Sequence, residues 1–166
     1  GAPSGLSGAS ATWTGQELIV WGGRTTAGVY VTSGARYSPA TDSWTAIQTA
    51  GAPSPRLGGS AVWTGSEMII WGGFFEGDGL NTGGRYNLAT DSWTAMTLVG
   101  APSARASHSA VWTGSKMIVG GGVEFSGGSV TFLNTGGRYK PLLSMSVFEQ
   151  PHANYMMVKN RKVDCD

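Results

Sequence analysis

Apolar residues in this chain are concentrated in short runs that recur at intervals of about fifty residues. Three such runs, ELIVW, EMIIW and KMIVG, begin at Glu17, Glu67 and Lys116. A nearly continuous short apolar run is typical of a β-strand that is covered on both faces. Each run follows a shorter segment, SATWT or SAVWT, and a glycine that suits a tight hairpin with positive φ. The pattern therefore predicts hairpins buried within a stack of sheets.

The same period governs the polar and aromatic signals between these runs. The string GAPS, the tripeptide WTG, a Gly-Gly pair and the dipeptide Arg-Tyr each recur in all three units. Within one unit, a third strand carries Gly-Arg-Tyr or Ala-Arg-Tyr, and a fourth begins at Trp44 or Trp93 after an Asp-Ser turn. Four short strands per unit predict one propeller blade per unit. We place the blades at residues 1–50, 51–99 and 100–140, followed by a divergent tail at 141–166.

Composition supports an all-β fold and narrows the range of partners. The chain has 27 Gly and 7 Trp but only 13% charged residues, and almost no stretch is typical of a helix. Residues 1–139 carry seven basic and seven acidic side chains, so no polybasic surface favours nucleic acid or an anionic membrane. No apolar run approaches the roughly 18 residues that span a bilayer. Cys165 is the single cysteine, so the sequence predicts no disulfide within the chain.

The beginning of the sequence bears on location. Gly1 is not an initiator methionine, and no basic segment followed by an apolar stretch opens the chain. An export signal of that kind is removed from a mature protein, so its loss is compatible with this start. The sequence leaves the compartment open, with an extracytoplasmic or secreted location as the favoured alternative.

The repeated residues carry a family resemblance. An apolar strand that ends in a Gly pair, followed by a Tyr and a Trp on this period, resembles the kelch repeat over residues 1–139. The resemblance extends to bacterial-type kelch repeats and to the galactose-oxidase-like central domain. It implies an all-β, partial kelch-type β-propeller of three four-stranded blades, the third altered at its C-terminal end. It also implies that the Gly pairs permit close packing of blades, and that Tyr and Trp fill the space between them.

Two features depart from the kelch pattern. Gly120 stands where the first two units have Trp21 and Trp71, which removes one large side chain from between the blades. After Tyr139 the sequence changes, and TDSWTA has no third copy; truncation, a frameshift and an unrelated graft would each produce this. Polar and apolar alternation predicts that residues 143–148 replace the lost strand. The polar end beyond residue 160 is predicted to be disordered.

Groups able to carry chemistry are scarce. His108 occupies a repeated position within a blade, and we assign it a structural role. The kelch resemblance includes galactose oxidase, a copper enzyme, but the Cys-Tyr cross-link of that enzyme would require a cysteine in a blade, and Cys165 lies in the tail. We predict no catalytic residue, no metal ligand and no cofactor.

Two groups of arginines recur in the repeat. Those in the Arg-Tyr dipeptides are expected to form charge-assisted pairs with the acids of the Asp-Ser turns and so to be structural. They are Arg36, Arg85 and Arg138, with Asp42 and Asp91 as the acids. Arg56 and Arg105, which follow the GAPS loop, are replaced by Leu6 in the first unit. We count these two among the candidates that face a ligand, with a tie between blades as the alternative.

Binding residues are expected where the repeats differ, because shared residues encode the scaffold and variable loops encode the target. The three loops between the Gly pair and Arg-Tyr differ in length and charge. Their aromatic and charged residues are typical of recognition surfaces, with ordinary loop residues as the alternative. The loop candidates are Arg24, Phe74, Phe75, Glu76, Asp78, Glu124, Phe125 and Phe132. The EGDG turn has too few oxygen ligands to predict a calcium site.

These features predict a non-enzymatic binding or scaffold module that recognises a protein or a glycan through its blade-connecting loops. The alternative is a fragment of a secreted, carbohydrate-active propeller of the galactose-oxidase-like kind. A kelch ring usually has about six or seven blades, so three blades leave two apolar faces open. The expected assembly is a homodimer that closes a six-bladed ring. A tail-capped or aggregating chain and association with a different chain are the alternatives.

Overall fold

The computed structural model describes residues 2–3 and 6–141. Within them the chain forms antiparallel sheets and no helix. Two four-stranded sheets and one three-stranded sheet follow one another along the chain, and one short two-stranded sheet accompanies each of them. This arrangement confirms the predicted all-β fold of propeller blades. No helix in this part of the chain is long and apolar enough to cross a membrane.

Each blade begins with the strand that follows the GAPS loop. In blade 1 the strands are Ser10–Trp13, Leu18–Trp21, Gly34–Ser38 and Ser43–Ala46. In blade 2 they are Ser60–Trp63, Glu67–Trp71, Gly83–Asn87 and Ser92–Ala95. In blade 3 the described strands are Ser109–Trp112, Met117–Gly120 and Gly136–Tyr139. The predicted replacement strand at 143–148 and the predicted disordered end lie outside the described residues.

The turn between the first and second strands has the chemistry that the repeat predicts. Gly15, Gly65 and Gly114 have φ angles of 99°, 104° and 92°. Only glycine adopts these angles without a steric cost from Cβ. In blade 1, Thr14 Oγ1 accepts a hydrogen bond from the Glu17 amide at 2.8 Å, which closes the turn. The predicted hairpin turns are therefore confirmed.

Each blade packs on its neighbours through two faces, because successive side chains of a strand point to opposite sides. The face toward the next blade along the chain is here called the forward face, and the opposite one the backward face. The first core consists of the forward residues Ile19, Trp21 and Ile47 with the backward residues Met68, Ile70, Tyr86 and Trp93. The second core consists of the forward residues Val62, Ile69, Trp71 and Met96 with the backward residues Met117 and Val119. Blade 2 is therefore covered on both sides, as its apolar second strand predicts.

The arginines of the Arg-Tyr dipeptides do not pair with the turn acids. Arg36 Nη1 lies 3.7 Å from Glu17 Oε2, and Arg85 Nη1 lies 3.3 Å from Glu67 Oε2. Arg85 is in register with Ile69, so Glu67 is its diagonal neighbour on the same face of the sheet. The predicted pairs with the turn acids are wrong. The tyrosine next to each of these two arginines points to the opposite face of the sheet, and it is the tyrosine that reaches the turn acid.

The turn acids accept hydrogen bonds from the tyrosines instead. Tyr86 Oη donates to Asp91 Oδ1 at 2.7 Å, and Tyr37 makes the same bond to Asp42 in blade 1. The backbone amide of Gln48, which follows the last strand of blade 1, also donates to Asp91 at 3.0 Å. The Gln48 and Tyr86 bonds hold the pKa of Asp91 below its usual range. Each of the two turns is thus fixed to its own blade, and the second is also fixed to the preceding one.

Glycines and tryptophans determine how closely the blades approach, as the family resemblance implies. A Cβ on Gly72 would lie 2.5 Å from His108 Cε1, so no larger residue fits there without displacing the imidazole. Trp21 and Trp71 end their strands with 0% and 4% exposure. Trp21 packs against Trp93 of the next blade with 5.3 Å between ring centroids. The terminal tryptophans of the buried strands therefore fill the space between blades.

Candidate functional site

The loops that connect the second and third strands emerge at one end of the blades, and this end is here called the loop face. Short backbone pairings shape each loop. The pairs are Arg24–Thr25 with Leu6–Ser7 in blade 1, Phe74–Phe75 with Asp78–Gly79 in blade 2, and Val123–Ser126 with Ser129–Phe132 in blade 3. Most of the predicted loop candidates lie on these short strands, so the fold gathers them at one end of the molecule.

Two buried arginines hold the bases of the second and third loops. Arg56 is 1% exposed, and its Nη1 donates to the carbonyl oxygens of Gly72 and Thr82 at 2.9 and 2.7 Å. These carbonyls flank the blade 2 hairpin, and Arg105 makes the equivalent bonds in blade 3. Burial lowers the pKa of Arg56 to about 10. The prediction that Arg56 and Arg105 face a ligand is wrong, because their donors are bonded within the protein interior.

Aromatic rings join neighbouring loops from blade to blade. Tyr30 and Phe75 meet edge to face with ring centroids 5.0 Å apart, and Phe74 and Phe125 do so at 4.8 Å. Arg24 Cζ lies 5.5 Å from the centroid of the Tyr30 ring, within range of a cation–π attraction. The structure thus brings together four predicted candidates and adds Tyr30, which the sequence analysis missed. The signal for Tyr30 was its place as the aromatic residue of the first variable loop.

Three carboxylates border this aromatic series. Glu76 and Asp78 are exposed on the blade 2 hairpin, and Glu124 is partly buried on the neighbouring hairpin. Among the described residues, none of the three forms an ion pair. The same part of the chain contains no group of three or more His, Cys, Asp or Glu side chains arranged to hold a metal ion. The border is therefore a negatively charged surface that a cationic group of a partner can approach.

Phe132 takes part in none of these ring contacts and is 84% exposed. Its place in the hairpin is equivalent to that of Tyr30, because the residues that follow them make the same bond. Leu133 and Val31 each donate to the carbonyl of the second glycine of their own Gly pair, at 2.9 and 3.0 Å. Tyr30 covers Phe75 of the next blade. Phe132 therefore occupies an inter-blade contact position that no described blade covers.

His108 links blades 2 and 3. Its Nε2 lies 2.8 Å from Ser60 Oγ, and its ring meets Trp71 with 5.1 Å between centroids. Burial, with a smaller effect from the nearby Arg105 charge, lowers the pKa of His108 to about 4, so the ring is neutral at pH 7. At the interface between blades 1 and 2, Ser10 Oγ donates to the carbonyl oxygen of Gly59 at 2.8 Å, and Gly59 has the repeat position of His108. The Ser60–His108 contact therefore repeats a structural tie between blades.

The repeated sheets, the Gly pairs between them and the variable loops at one end define the class of protein: propeller blades of the kelch type that present a loop face. A family model described as the KLHDC2/KLHL20/DRC7 Kelch-repeats domain matches residues 2–145, and the chain belongs to this kelch-repeat family. Domains of this type are typically protein-binding modules and are generally non-catalytic. No curated protein matches the chain.

Proposed function

We propose that this chain recognises a protein through the loop face and catalyses no reaction. The observation that carries the proposal is the pair of ring contacts, Tyr30 with Phe75 and Phe74 with Phe125, which joins three variable loops into one surface. Edge-to-face aromatic pairs contribute roughly 0.5–1.5 kcal/mol each beyond area burial, so the loops support one another. A surface that is ordered before binding loses less conformational entropy when a partner docks.

A protein partner suits this surface better than a glycan does. A sugar ring stacks on an open aromatic face, whereas Phe74, Phe75 and Phe125 are partly buried through their edge-to-face contacts. On the blade 2 hairpin, the exposed side chains are instead the carboxylates of Glu76 and Asp78. Carboxylates of this kind pair with cationic side chains and steer the association of a protein partner.

The test compares two double variants that change the charge by the same amount at opposite ends of the blades. Glu76→Gln with Asp78→Asn removes two negative charges from the loop face. Gln16→Lys with Ser66→Lys adds two positive charges at exposed turn positions of the opposite end and is the matched control. A displayed library of random peptides is selected on the wild-type chain, and affinities of the enriched peptides are measured by titration. We expect the loop-face variant to bind at least ~10-fold more weakly and the control to bind like the wild type.

An equal loss in both variants would contradict the proposal, because it would show a general effect of charge rather than a specific surface. A glycan array and a panel of oxidase and glycosidase substrates complete the test. Glycan binding without peptide binding would contradict recognition of a protein. Turnover of a sugar substrate that is lost in the loop-face variant would favour the carbohydrate-active alternative.

We also propose that the chain assembles as a homodimer that closes a six-bladed ring. The described residues form three blades, and the outer faces of the first and third expose apolar side chains. Trp13 is 51% exposed on blade 1, and Val111 and Ile118 are 55% and 44% exposed on blade 3. Two-fold assembly is the commonest closed symmetry of homo-oligomers, and it would surround the propeller axis with six loops.

A further inference from the structure

Both internal interfaces of the chain have hydrogen bonds at the same three pairs of repeat positions. Between blades 1 and 2, they run from Gly58 N to Gly8 O at 3.2 Å, from Gly23 N to Arg56 O at 3.0 Å, and from Ser10 Oγ to Gly59 O at 2.8 Å. Between blades 2 and 3, they run from Ser107 N to Gly58 O at 3.0 Å, from Gly73 N to Arg105 O at 2.8 Å, and between Ser60 Oγ and His108 Nε2 at 2.8 Å. All six bonds use equivalent repeat positions. The two internal interfaces therefore have the same geometry at these repeat positions.

The outer faces of blades 1 and 3 are equivalent by repeat position to the two sides of an internal interface. On the forward side, Val62 and Ile69 of blade 2 are 6% and 0% exposed, whereas the equivalent Val111 and Ile118 of blade 3 are 55% and 44% exposed. On the backward side, Trp13 of blade 1 is 51% exposed, although the equivalent tryptophans of blades 2 and 3 are partly buried. Each outer face therefore exposes apolar side chains at the repeat positions that are covered in the internal interfaces.

We propose that the forward face of blade 3 receives the backward face of blade 1 from a second copy of this chain, in the geometry of the two internal interfaces. This inference rests on the homodimer proposed above and names the surfaces that form it. Because each copy carries both faces, a two-fold arrangement makes the contact twice and closes the ring. By repeat equivalence, Gly122 N donates to the Leu6 carbonyl of the second copy, and Ser109 Oγ donates to its Ala9 carbonyl. The amide of Gly8 of the second copy donates to the Ser107 carbonyl.

The donors for these bonds lie on the open faces. Within the described residues, the amides of Gly8 and Gly122 have no backbone acceptor, whereas those of Gly23, Gly58 and Gly73 are bonded across an interface. Backbone donors that become buried need a partner, since an unpaired one costs about as much as a lost hydrogen bond. A second copy supplies a carbonyl to each of the two unbonded amides while it covers the apolar side chains around them.

Two residues make the third interface different from the internal ones. Phe132 has the position of Tyr30, which contacts Phe75 in the first interface. In the second copy the residue equivalent to Phe75 is Thr25, so Phe132 covers a threonine. Gly120 replaces the interface tryptophan, and a Cβ there would meet no atom within 4 Å in the single chain. Trp44 of the second copy therefore faces glycine, where Trp93 faces Trp21 in the first core. We expect an interface with less buried apolar surface than the internal ones, and hence a dimer that dissociates on dilution.

Sedimentation of the full chain across a concentration series tests the proposal. The wild type is expected at about twice 17.2 kDa in the micromolar range and at the monomer mass after dilution. Ile118→Lys on the forward face and Trp13→Lys on the backward face should each weaken dimerisation by at least ~100-fold, because each buries a charge at an apolar contact. Both residues are exposed in the single chain, so the monomer keeps its fold. Val99→Lys, at a 90% exposed position between blades 2 and 3, is the control and should dimerise like the wild type.

A gain of affinity provides the second arm. Gly120→Trp restores the tryptophan that the first unit has at Trp21. It should pack against Trp44 of the second copy, as Trp21 packs against Trp93 in the first core, and so tighten the dimer at least ~10-fold. Ser109→Cys with Ala9→Cys, in a chain that also carries Cys165→Ser, should give a covalent dimer on oxidation.

The outcomes separate the proposals. A wild-type monomer at tens of micromolar would overturn both the homodimer and this interface. A dimer that Ile118→Lys and Trp13→Lys leave intact would overturn the interface alone, as would a ladder of open oligomers. Binding by the loop face is measured independently on peptides, so its failure would leave these results unchanged.

Discussion

Blades 2 and 3 carry the same hexapeptide, SAVWTG, around their first strands, yet its forward side chain lies in opposite surroundings. Val62 is 6% exposed in blade 2, whereas Val111 is 55% exposed in blade 3. The second strands differ in the same way, with Ile69 at 0% and Ile118 at 44% exposure. Both first strands have four residues and pair with the second strand in the same antiparallel manner. What covers the forward face is therefore the following blade, and not the sequence of the strand.

The loop face shows the same dependence on a neighbour. Tyr30 and Phe132 hold equivalent places in their hairpins, but Tyr30 is partly buried against Phe75 of the next blade, whereas Phe132 is 84% exposed. A variable loop thus has two kinds of residue: those that connect it to the next loop, and those that are left for a partner. The exposure of Phe132 therefore reflects that no described blade follows it, and is not by itself evidence of a ligand site.

The comparison between covered and open faces is tested most strongly at the tryptophans. Trp71→Ala removes a 4% exposed side chain from the second core and should lower the free energy of unfolding by about 3–5 kcal/mol. Trp13→Ala, at 51% exposure on the open face, is the matched control and should cost less than about 1 kcal/mol in the monomer. Chemical denaturation of the dilute chain measures both. Equal losses would show that the two faces are not different.

Acid should weaken the covered interface through His108. Its pKa is lowered to about 4 in the folded chain, whereas an unfolded histidine titrates near 6.5. Between these values the unfolded state binds more protons, so the free energy of unfolding falls as the pH decreases from about 6.5 to 4, by up to about 3 kcal/mol. The stabilisation from the buried neutral imidazole is fully present above this pH window. Denaturation at a series of pH values measures the slope.

His108→Ala is the control for the pH dependence, since alanine is the residue at this position in blade 1. The variant should lack the part of the slope that the buried imidazole contributes. A slope that is the same in the variant and in the wild type would assign the acid sensitivity to other groups, and the neutral buried state of His108 would be refuted.

Loss of a buried arginine should have the next largest effect. Arg56→Leu gives blade 2 the residue type that blade 1 has at Leu6, and it leaves the carbonyls of Gly72 and Thr82 without their donor. We expect a loss of about 2–3 kcal/mol in the free energy of unfolding, because buried polar groups without partners are costly. Arg138→Leu, at an exposed position, should change stability by less than about 0.5 kcal/mol. An Arg56→Leu variant as stable as the wild type would show that the loop base does not depend on the guanidinium.

The smallest expected difference concerns two tyrosines that make the same bond. Tyr86 is 1% exposed and Tyr37 is partly exposed, and each donates to the aspartate of its own turn at 2.7 Å. Tyr86→Phe should cost about 1 kcal/mol, while Tyr37→Phe should have a smaller effect, because water replaces the lost partner at the surface. Thermal unfolding of the two variants side by side measures the difference. A larger effect at Tyr37 would contradict the expected difference between the covered and the open face.

The blades could be predicted from the sequence because every unit repeats the same local signals. The apolar second strand, the turn glycines and the positions of Trp21 and Trp71 depend on residues close in the chain, and the structure agrees with them. The place of Phe74, Phe75 and Phe125 on one face also followed from the repeat, since equivalent loops of successive blades emerge at the same end.

The side-chain partners could not be predicted in the same way. Arg85 pairs with Glu67 because the register of two strands makes them diagonal neighbours, and that register is not visible in residue order. Arg56 is buried because the ends of a hairpin bring two carbonyls, of Gly72 and Thr82, within reach of one guanidinium. Both arrangements depend on three-dimensional spacing, so charge and repeat position alone suggested the wrong partners.

Hydroxyl-radical footprinting of the two SAVWTG segments tests most directly whether the following blade alone covers the forward face. The identical hexapeptides have the same intrinsic reactivity, so a difference in oxidation reports only on their surroundings. In the diluted, monomeric chain, we predict that Val111 is oxidised several-fold faster than Val62, in line with exposures of 55% and 6%. Equal oxidation of the two valines in the monomer would contradict this account of the blades.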